Sequence, residues 1–194
     1  MNNKIILASA SPRRKELLDQ IGVSCIVHPV DIDETPKVAE PARQYVKRVA
    51  EEKSAACLGL LDSALPILAA DTSVVVDGQI LGKPENEVHG IAMLRQLSGT
   101  THTVYSAVSF RGADQAFHHQ ALSVTEVTFR HVETREFEAY WETGEPQGKA
   151  GAYAIQGLAS IFVESIKGSF SGVMGLPLFE TAALLSKQGI KVIT

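Results

Sequence analysis

Short apolar runs alternate along the chain with segments whose apolar residues recur every three or four positions. The runs predict β-strands, and the longer spacing predicts amphipathic helices. Strands are predicted at 5–7, 23–27, 67–70, 74–76, 80–81, 101–111, 116–132 and 161–166, and helices at 12–21, 41–60, 85–97, 134–143 and up to about 187. A turn at 112–114 joins two long strands into a hairpin, so the sheet cannot be all parallel. We therefore expect a mixed α/β fold, with a twisted sheet flanked by helices and two lobes around a central cleft.

The junction between the first strand and the first helix gathers polar side chains. Pro12 lies at the first helical position, and Ser11 before it is a good N-cap residue. Ser9, Arg13 and Arg14 surround this helix start, where free N–H groups and the positive helix end attract anions. A positive charge at the start of a helix is unfavourable because it opposes the helix dipole, at a cost of about 0.3–1 kcal/mol for each arginine. A bound anion would offset this cost. The junction predicts a phosphate site; the alternative is a solvated first turn.

Composition and charge limit the classes of function. The chain has 194 residues and a net charge of −4, which disfavours a general nucleic-acid-binding surface. Its two cysteines, Cys25 and Cys57, lack metal-ligand spacing and predict two buried thiols in a reducing compartment. We see no leader segment and no apolar run of about 18 residues, so a cytoplasmic protein without a membrane span is expected.

Further candidates for chemistry are polar residues beside apolar runs. Asp71 ends a predicted buried strand, so it should face a cleft, a metal or a basic residue, unless it only caps a turn. Glu34 lies in an acidic loop and either supplies oxygen ligands suited to Mg²⁺ or Mn²⁺ or is solvated. Lys53, on a charged helix face, and Lys83, in a Gly-Lys-Pro turn, each bind an anion or are solvated. Gln156 either reads a base or is a satisfied core amide.

Four motifs follow one another along the chain: Ser-Ala-Ser-Pro-Arg-Arg at 9–14, Asp-Ile-Asp-Glu-Thr-Pro at 31–36, Ala-Asp-Thr at 70–72 and Gly-Lys-Pro at 82–84. In this order they resemble the Maf family of nucleoside triphosphate pyrophosphatases over essentially the whole length. The resemblance implies an ITPase-like (Ham1-like) architecture, here a single two-lobed domain over 1–194 without a separable boundary. It also implies a divalent cation, Mg²⁺ or Mn²⁺, a nucleoside triphosphate substrate, a cytoplasmic location and often a homodimer.

The resemblance also assigns roles to individual residues. It implies that the acidic catalytic residue is Asp71, which acts as a proton acceptor, a metal ligand or both. Glu34 and Lys83 are the other two implied catalytic residues. As a mechanistic hypothesis, we expect Glu34 and Asp71 to hold the implied metal together. The implied substrate-binding residues are Ser9, Arg13, Arg14, Lys53, Thr72 and Gln156, and those that set specificity are Arg13, Thr72 and Gln156.

The motif at 70–72 and the segment at 149–157 resemble the branch of the family that acts on dTTP and UTP. Cleavage between the α- and β-phosphates, releasing the monophosphate and pyrophosphate, is the expected reaction, and it would remove unwanted nucleotides from the pool. The alternatives are a pyrophosphatase for 7-methyl-GTP or another modified purine, and a nucleotide-binding cell-division regulator without turnover.

Overall fold

One mixed sheet with helices on both faces forms the body of the protein. The computed structural model describes residues 4–61, 64–113 and 117–192. The strands within these ranges are β1 (Lys4–Leu7), β2 (Ser24–Val27), β3 (Ile67–Val76), β4 (Gln79–Leu81), β5 (Thr101–Arg111), β6 (His118–Phe129) and β7 (Val163–Lys167). The helices are α1 (Pro12–Gln20), α2 (Ala42–Leu60), α3 (Glu87–Leu97), α4 (Thr134–Glu142), α5 (Phe170–Met174) and α6 (Leu178–Ser186).

The strand order is β2-β1-β3-β5-β6-β7, with β4 also paired to β3. β1 runs parallel to β2 and β3, whereas β5, β6 and β7 follow in antiparallel pairs. This arrangement confirms the predicted mixed α/β fold. The predicted strand start at Ala116 and the turn residue Asp114 lie outside the described residues.

Alternation along β3 explains why helices cover both sheet faces. Leu68 packs in a cluster with Leu17 of α1 and Leu184 of α6. Its neighbour Ile67 points to the other face and packs with Cys57 of α2. Beyond this region, the far ends of β3, β5 and β6 form a separate apolar cluster with α3 and α4. The long strands β3, β5 and β6 connect these regions of the core, and the single two-lobed domain without a separable boundary stays a prediction.

Several predicted details differ from the structure. β3 is one continuous strand, because β5 pairs with it from Ile67 to Val75 across the polar residues that suggested a break. β7 begins two residues later than predicted, since Leu158–Phe162 forms a 3-10 turn. The short helix α5 was not predicted. Cys57 is buried, but the expectation of a buried thiol is wrong for Cys25, which is half-buried on the short edge strand β2. None of the described helices has the length and hydropathy that crossing a membrane requires.

Candidate active site

A cavity lies at a gap between two strands that flank β3. β1 pairs with β3 only through Ile67 and Leu68, and β4 pairs only with 74–76. Residues 69–73 of β3 therefore have no strand partner on this side within the described ranges. A cavity of about 970 Å³ opens along this stretch. All nine predicted site residues line it, namely Ser9, Arg13, Arg14, Glu34, Lys53, Asp71, Thr72, Lys83 and Gln156.

A lysine ammonium links the two candidate carboxylates. Lys53 Nζ donates to Asp71 Oδ1 at 3.0 Å and lies 2.9 Å from Glu34 Oε1. Lys53 and Asp71 are 8% and 6% exposed, so the alternative of a solvated Lys53 is wrong. Asp71 shares the β3 face of Ala69, which packs towards α2, and this places its carboxylate against the α2 lysine. Burial raises the pKa of Asp71, and the charges of Lys53 and Arg14 act in the opposite direction.

The apolar run predicted that Asp71 ends a strand, but the structure places it inside one. It pairs with Ala107 in the middle of β3, and its β3 neighbours on both sides belong to the ladder with β5. A role confined to capping a turn is therefore wrong. The carboxylate faces both a cavity and a basic residue, which are two of the environments expected for it.

The end of α5 holds the two arginines at the start of α1. Arg14 Nε donates to the carbonyl oxygen of Gly175 at 2.9 Å, and its Nη1 donates to Ser9 Oγ at 3.0 Å. Arg13 Nε donates to the carbonyl oxygen of Met174 at 3.2 Å. Burial lowers the pKa of Arg14, and the nearby Asp71 charge opposes that change. The fork of Arg14 is thus anchored on one side, which orients it at the wall of the cavity.

The hydroxyl of Ser11 does not cap α1, contrary to the expected capping bond. Ser11 occupies the N-cap position, but its side chain makes no capping hydrogen bond, and its own N–H donates to Ser9 Oγ at 3.2 Å. Pro12 occupies the first turn as predicted. Because the Ser11 hydroxyl accepts no hydrogen bond from the first turn, the N–H groups of that turn can donate to an external anion.

Thr72 points to the sheet face opposite Asp71. Its Oγ1 lies 2.9 Å from Ser106 Oγ and donates to the carbonyl oxygen of Gly175 at 3.4 Å. Gly175 has a φ of 123°, a conformation that side chains rarely adopt, so a glycine is required there. Its carbonyl therefore serves both Thr72 and Arg14, and Thr72 is coupled to the phosphate-binding candidates through this shared acceptor.

Side chains of α2 hold the loop that carries Glu34. The hydroxyl of Tyr45 donates to the carbonyl oxygen of Glu34 at 2.8 Å, and Arg48 Nη2 donates to that of Thr35 at 3.1 Å. Arg48 also pairs with Glu40 at 2.6 Å, and this hydrogen bond lowers the pKa of Glu40 to about 2. Glu34 therefore reaches the cavity from an anchored loop.

Gln156 and Lys83 form further parts of the cavity wall. Both side chains are exposed, so the reading of Gln156 as a core amide is wrong. The wall also holds Glu145 and Lys149, which the sequence did not single out, although Lys149 opens the 149–157 segment that carried the branch resemblance. In total five cationic and four acidic side chains line the cavity, a local basic excess on a chain of net charge −4.

Two carboxylates of the cavity suit a hard cation that is also bound by the phosphates of the substrate. No three His, Cys, Asp or Glu side chains converge on a metal position anywhere in the described ranges. Glu34 and Asp71 nevertheless approach each other across one ammonium group and both line the cavity. Mg²⁺ is commonly held by one or two carboxylates together with substrate phosphates, so this pair fits such an ion.

Comparison with known families decides where the chain belongs. The family model described as Maf-like protein matches residues 4–188. The chain belongs to the Maf family. All four motifs that carried the resemblance contribute residues to one cavity in this Maf-family chain, although they are far apart in sequence.

Curated Maf relatives match the chain over nearly its full length. It is 54% identical to the dTTP/UTP pyrophosphatase of Methylococcus capsulatus, covering 96% of this chain and 92% of that protein. It is 50% identical to the dTTP/UTP pyrophosphatase of Methylobacillus flagellatus, with coverages of 97% and 94%. The nucleoside triphosphate pyrophosphatase of Haemophilus ducreyi is 45% identical, with coverages of 100% and 99%. Among solved structures, the Staphylococcus aureus Ham1 protein is 17% identical over 65% of this chain and 71% of that one, with a TM-score of 0.47.

Proposed function

We propose that this chain is a hydrolase that converts dTTP and UTP to the nucleoside monophosphate and pyrophosphate. The convergence of a buried Lys53–Asp71 pair, two anchored arginines and the exposed amide of Gln156 on one cavity carries the proposal. Relatives named dTTP/UTP pyrophosphatase at 54% and 50% identity support the same activity.

The triphosphate is assigned to the cationic wall. Arg13 and Arg14 lie at the start of α1, where the helix dipole and backbone N–H groups also favour an anion. Ser9 adds a hydroxyl beside Arg14, and Lys83 faces the same cavity from the turn after β4. Phosphoryl-transfer enzymes act chiefly by positioning and by neutralising charge, so these cations are expected to carry much of the catalysis.

Asp71 is assigned as the proton acceptor. Burial raises the pKa of its carboxyl, which makes the ionised form a stronger base than an ordinary aspartate. The charges of Lys53 and Arg14 oppose this shift, because they favour the ionised form. In the proposed step, water loses a proton to Asp71, and its oxygen bonds to the α-phosphorus. The bond from that phosphorus to the bridging oxygen breaks, and the electron pair leaves with pyrophosphate.

Glu34 and Asp71 are also the proposed holders of a Mg²⁺ or Mn²⁺ ion. Such an ion would lower the pKa of bound water and neutralise phosphate charge. Lys53, which now bridges the two carboxylates, is then expected to turn towards a phosphate oxygen. The homodimer and the cytoplasmic location stay predictions.

Base selection is assigned to Gln156. An amide both donates and accepts hydrogen bonds, which matches the N–H and carbonyl edge of uracil and thymine. Thr72 contributes indirectly, because its hydrogen bonds go to Ser106 and Gly175. Since one methyl group is worth only about 1–3 kcal/mol in a pocket, dTTP and UTP are both expected as substrates.

A substrate panel tests the proposal. Pyrophosphate and monophosphate release is measured for dTTP, UTP, dCTP, dGTP and 7-methyl-GTP, with Mg²⁺ or Mn²⁺ supplied. We expect dTTP and UTP to be cleaved fastest and the Gln156→Ala variant to lose that ranking. Preference for 7-methyl-GTP, release of a nucleoside diphosphate, or tight dTTP binding without any pyrophosphate would overturn the proposal.

A further inference from the structure

The carboxylate of Glu145 is tied to three hydrogen-bond donors. The hydroxyl of Tyr140 donates to its Oε1 at 2.7 Å. The backbone N–H of Ala159 donates to the same oxygen at 3.2 Å, and that of Leu158 donates to Oε2 at 3.0 Å. Both carboxylate oxygens are therefore engaged by the protein itself, although Glu145 lines the nucleotide cavity.

Tyr140 extends this network to the other side of Gln156. Its hydroxyl oxygen accepts a hydrogen bond from the backbone N–H of Ala154 at 3.2 Å. The tyrosine is buried, and its ring packs edge-on against Phe162 with centroids 5.4 Å apart. Burial and the hydrogen bond to Glu145 raise the pKa of Tyr140, so its hydroxyl keeps the proton that it donates.

The backbone at Gly157 lies in close contact with the carboxylate of Glu145. A Cβ atom added there would lie 2.1 Å from Glu145 Oε2. A side chain at 157 would therefore displace the carboxylate or the turn. The backbone is held two residues before Gln156 and two and three residues after it, while the Gln156 side chain stays exposed at the cavity.

From this geometry we infer that Tyr140 and Glu145 are positioning residues that hold Gln156 for reading the base. The inference rests on the proposed function, because it assumes that Gln156 contacts the base. The hydrogen bonds of the pair go to each other and to the backbone around Gln156, whereas Arg13, which is assigned to the triphosphate, acts on Tyr140 through its charge. Changes to the pair are therefore expected to alter discrimination between bases more than the chemical step.

Two variants test the pair, with one matched control. Glu145→Gln offers one acceptor oxygen to three donors, and Tyr140→Phe keeps the buried ring but removes the hydroxyl. The control is Glu136→Gln on α4, whose carboxylate pairs with Arg130 and does not line the cavity. The kcat and KM values for dTTP and dGTP are measured for each variant, together with Tm.

We expect both variants to lower the ratio of kcat/KM for dTTP over dGTP by about tenfold, as is common for changes to a supporting residue. The loss should lie mainly in KM for dTTP, and the control should keep the wild-type ratio. Gly157→Ala should show the same loss, and adding Gly157→Ala to Glu145→Ala should cost nothing further, because the two changes disturb one contact.

An unchanged ratio in Glu145→Gln and Tyr140→Phe, beside a lowered ratio in Gln156→Ala, would overturn the inference and leave the proposed function in place. An unchanged ratio in Gln156→Ala as well would instead refute base reading by Gln156. An equal loss in Glu136→Gln would show that the effect is only structural and would also overturn the inference.

Discussion

Replacing Lys53 with methionine removes the ammonium between Asp71 and Glu34 and keeps an unbranched side chain of similar length. The side chains of Lys53 and Asp71 are 10% and 8% exposed, so this pair is buried. Glu34 is 41% exposed in its contact with the same ammonium, so water screens that interaction. The substitution therefore leaves one buried carboxylate without its hydrogen-bonded cation.

The expected loss of stability comes almost entirely from Asp71. Removing one partner of a buried ion pair costs about 3–5 kcal/mol, whereas an exposed pair contributes about 0–1 kcal/mol. For a chain of this size, 1 kcal/mol shifts Tm by roughly 2–4 °C. We therefore expect Lys53→Met to lower Tm by about 6–20 °C at neutral pH.

The loss should depend on pH, with a sign set by Asp71. Burial already raises the pKa of this carboxyl, and removing the Lys53 charge raises it further. The penalty is absent where Asp71 is protonated in both the folded and the unfolded state, below about pH 4. It grows as the pH rises towards the pKa of the folded variant. The Tm difference from the wild type should therefore widen between about pH 4 and pH 7.

Thermal unfolding of matched variants provides the assay. Lys15→Met is the control, because the Lys15–Asp19 pair is 49% and 47% exposed and should contribute little. The double variant Lys53→Met/Asp71→Asn should regain much of the lost stability, since no charge is then left unpaired beside the methionine. Equal shifts in Lys53→Met and Lys15→Met, or a loss that does not change with pH, would refute the reasoning.

Three further variants have defined outcomes. Asp71→Asn should lower kcat for pyrophosphate release by about 10²–10⁴-fold, the range for a lost general base. It should also lower Tm at pH 7, because the buried Lys53 then keeps only the half-exposed Glu34 as a charged partner. Turnover near that of the wild type would contradict the role of Asp71. Arg14→Lys keeps the charge but loses the fork that joins Ser9 and Gly175, so KM for dTTP should rise roughly tenfold or more in steady-state kinetics. Gly175→Ala should destabilise the protein by about 1–3 kcal/mol in denaturant unfolding, because its φ is 123°; an unchanged midpoint would argue against strain there.

Local signals predicted the elements that depend on local chemistry. Pro12 placed the start of α1 correctly, because its fixed φ suits the first helical position. Gly82 and Pro84 correctly separated β4 from α3. The motif order then predicted which side chains share a cavity, and the structure places all nine of them along one.

Long-range pairing accounts for what the sequence did not predict. The polar residues at 71–73 predict a break in the apolar run, and only the ladder to β5 shows that β3 is continuous. The bridge from Lys53 to Asp71 joins residues 18 positions apart on different elements, so helical spacing alone cannot reveal it. The five residues of α5 are too few to show a helical period, yet the carbonyl groups of Met174 and Gly175 orient both arginines.

Hydrolysis of dTTP in ¹⁸O-labelled water tests most directly whether solvent is delivered to the innermost phosphorus. Mass spectrometry of the two products shows which phosphorus was attacked. We predict the label in thymidine monophosphate and unlabelled pyrophosphate, with both products lost in Asp71→Asn. Label in pyrophosphate, or in inorganic phosphate released beside a diphosphate, would contradict attack at the α-phosphorus.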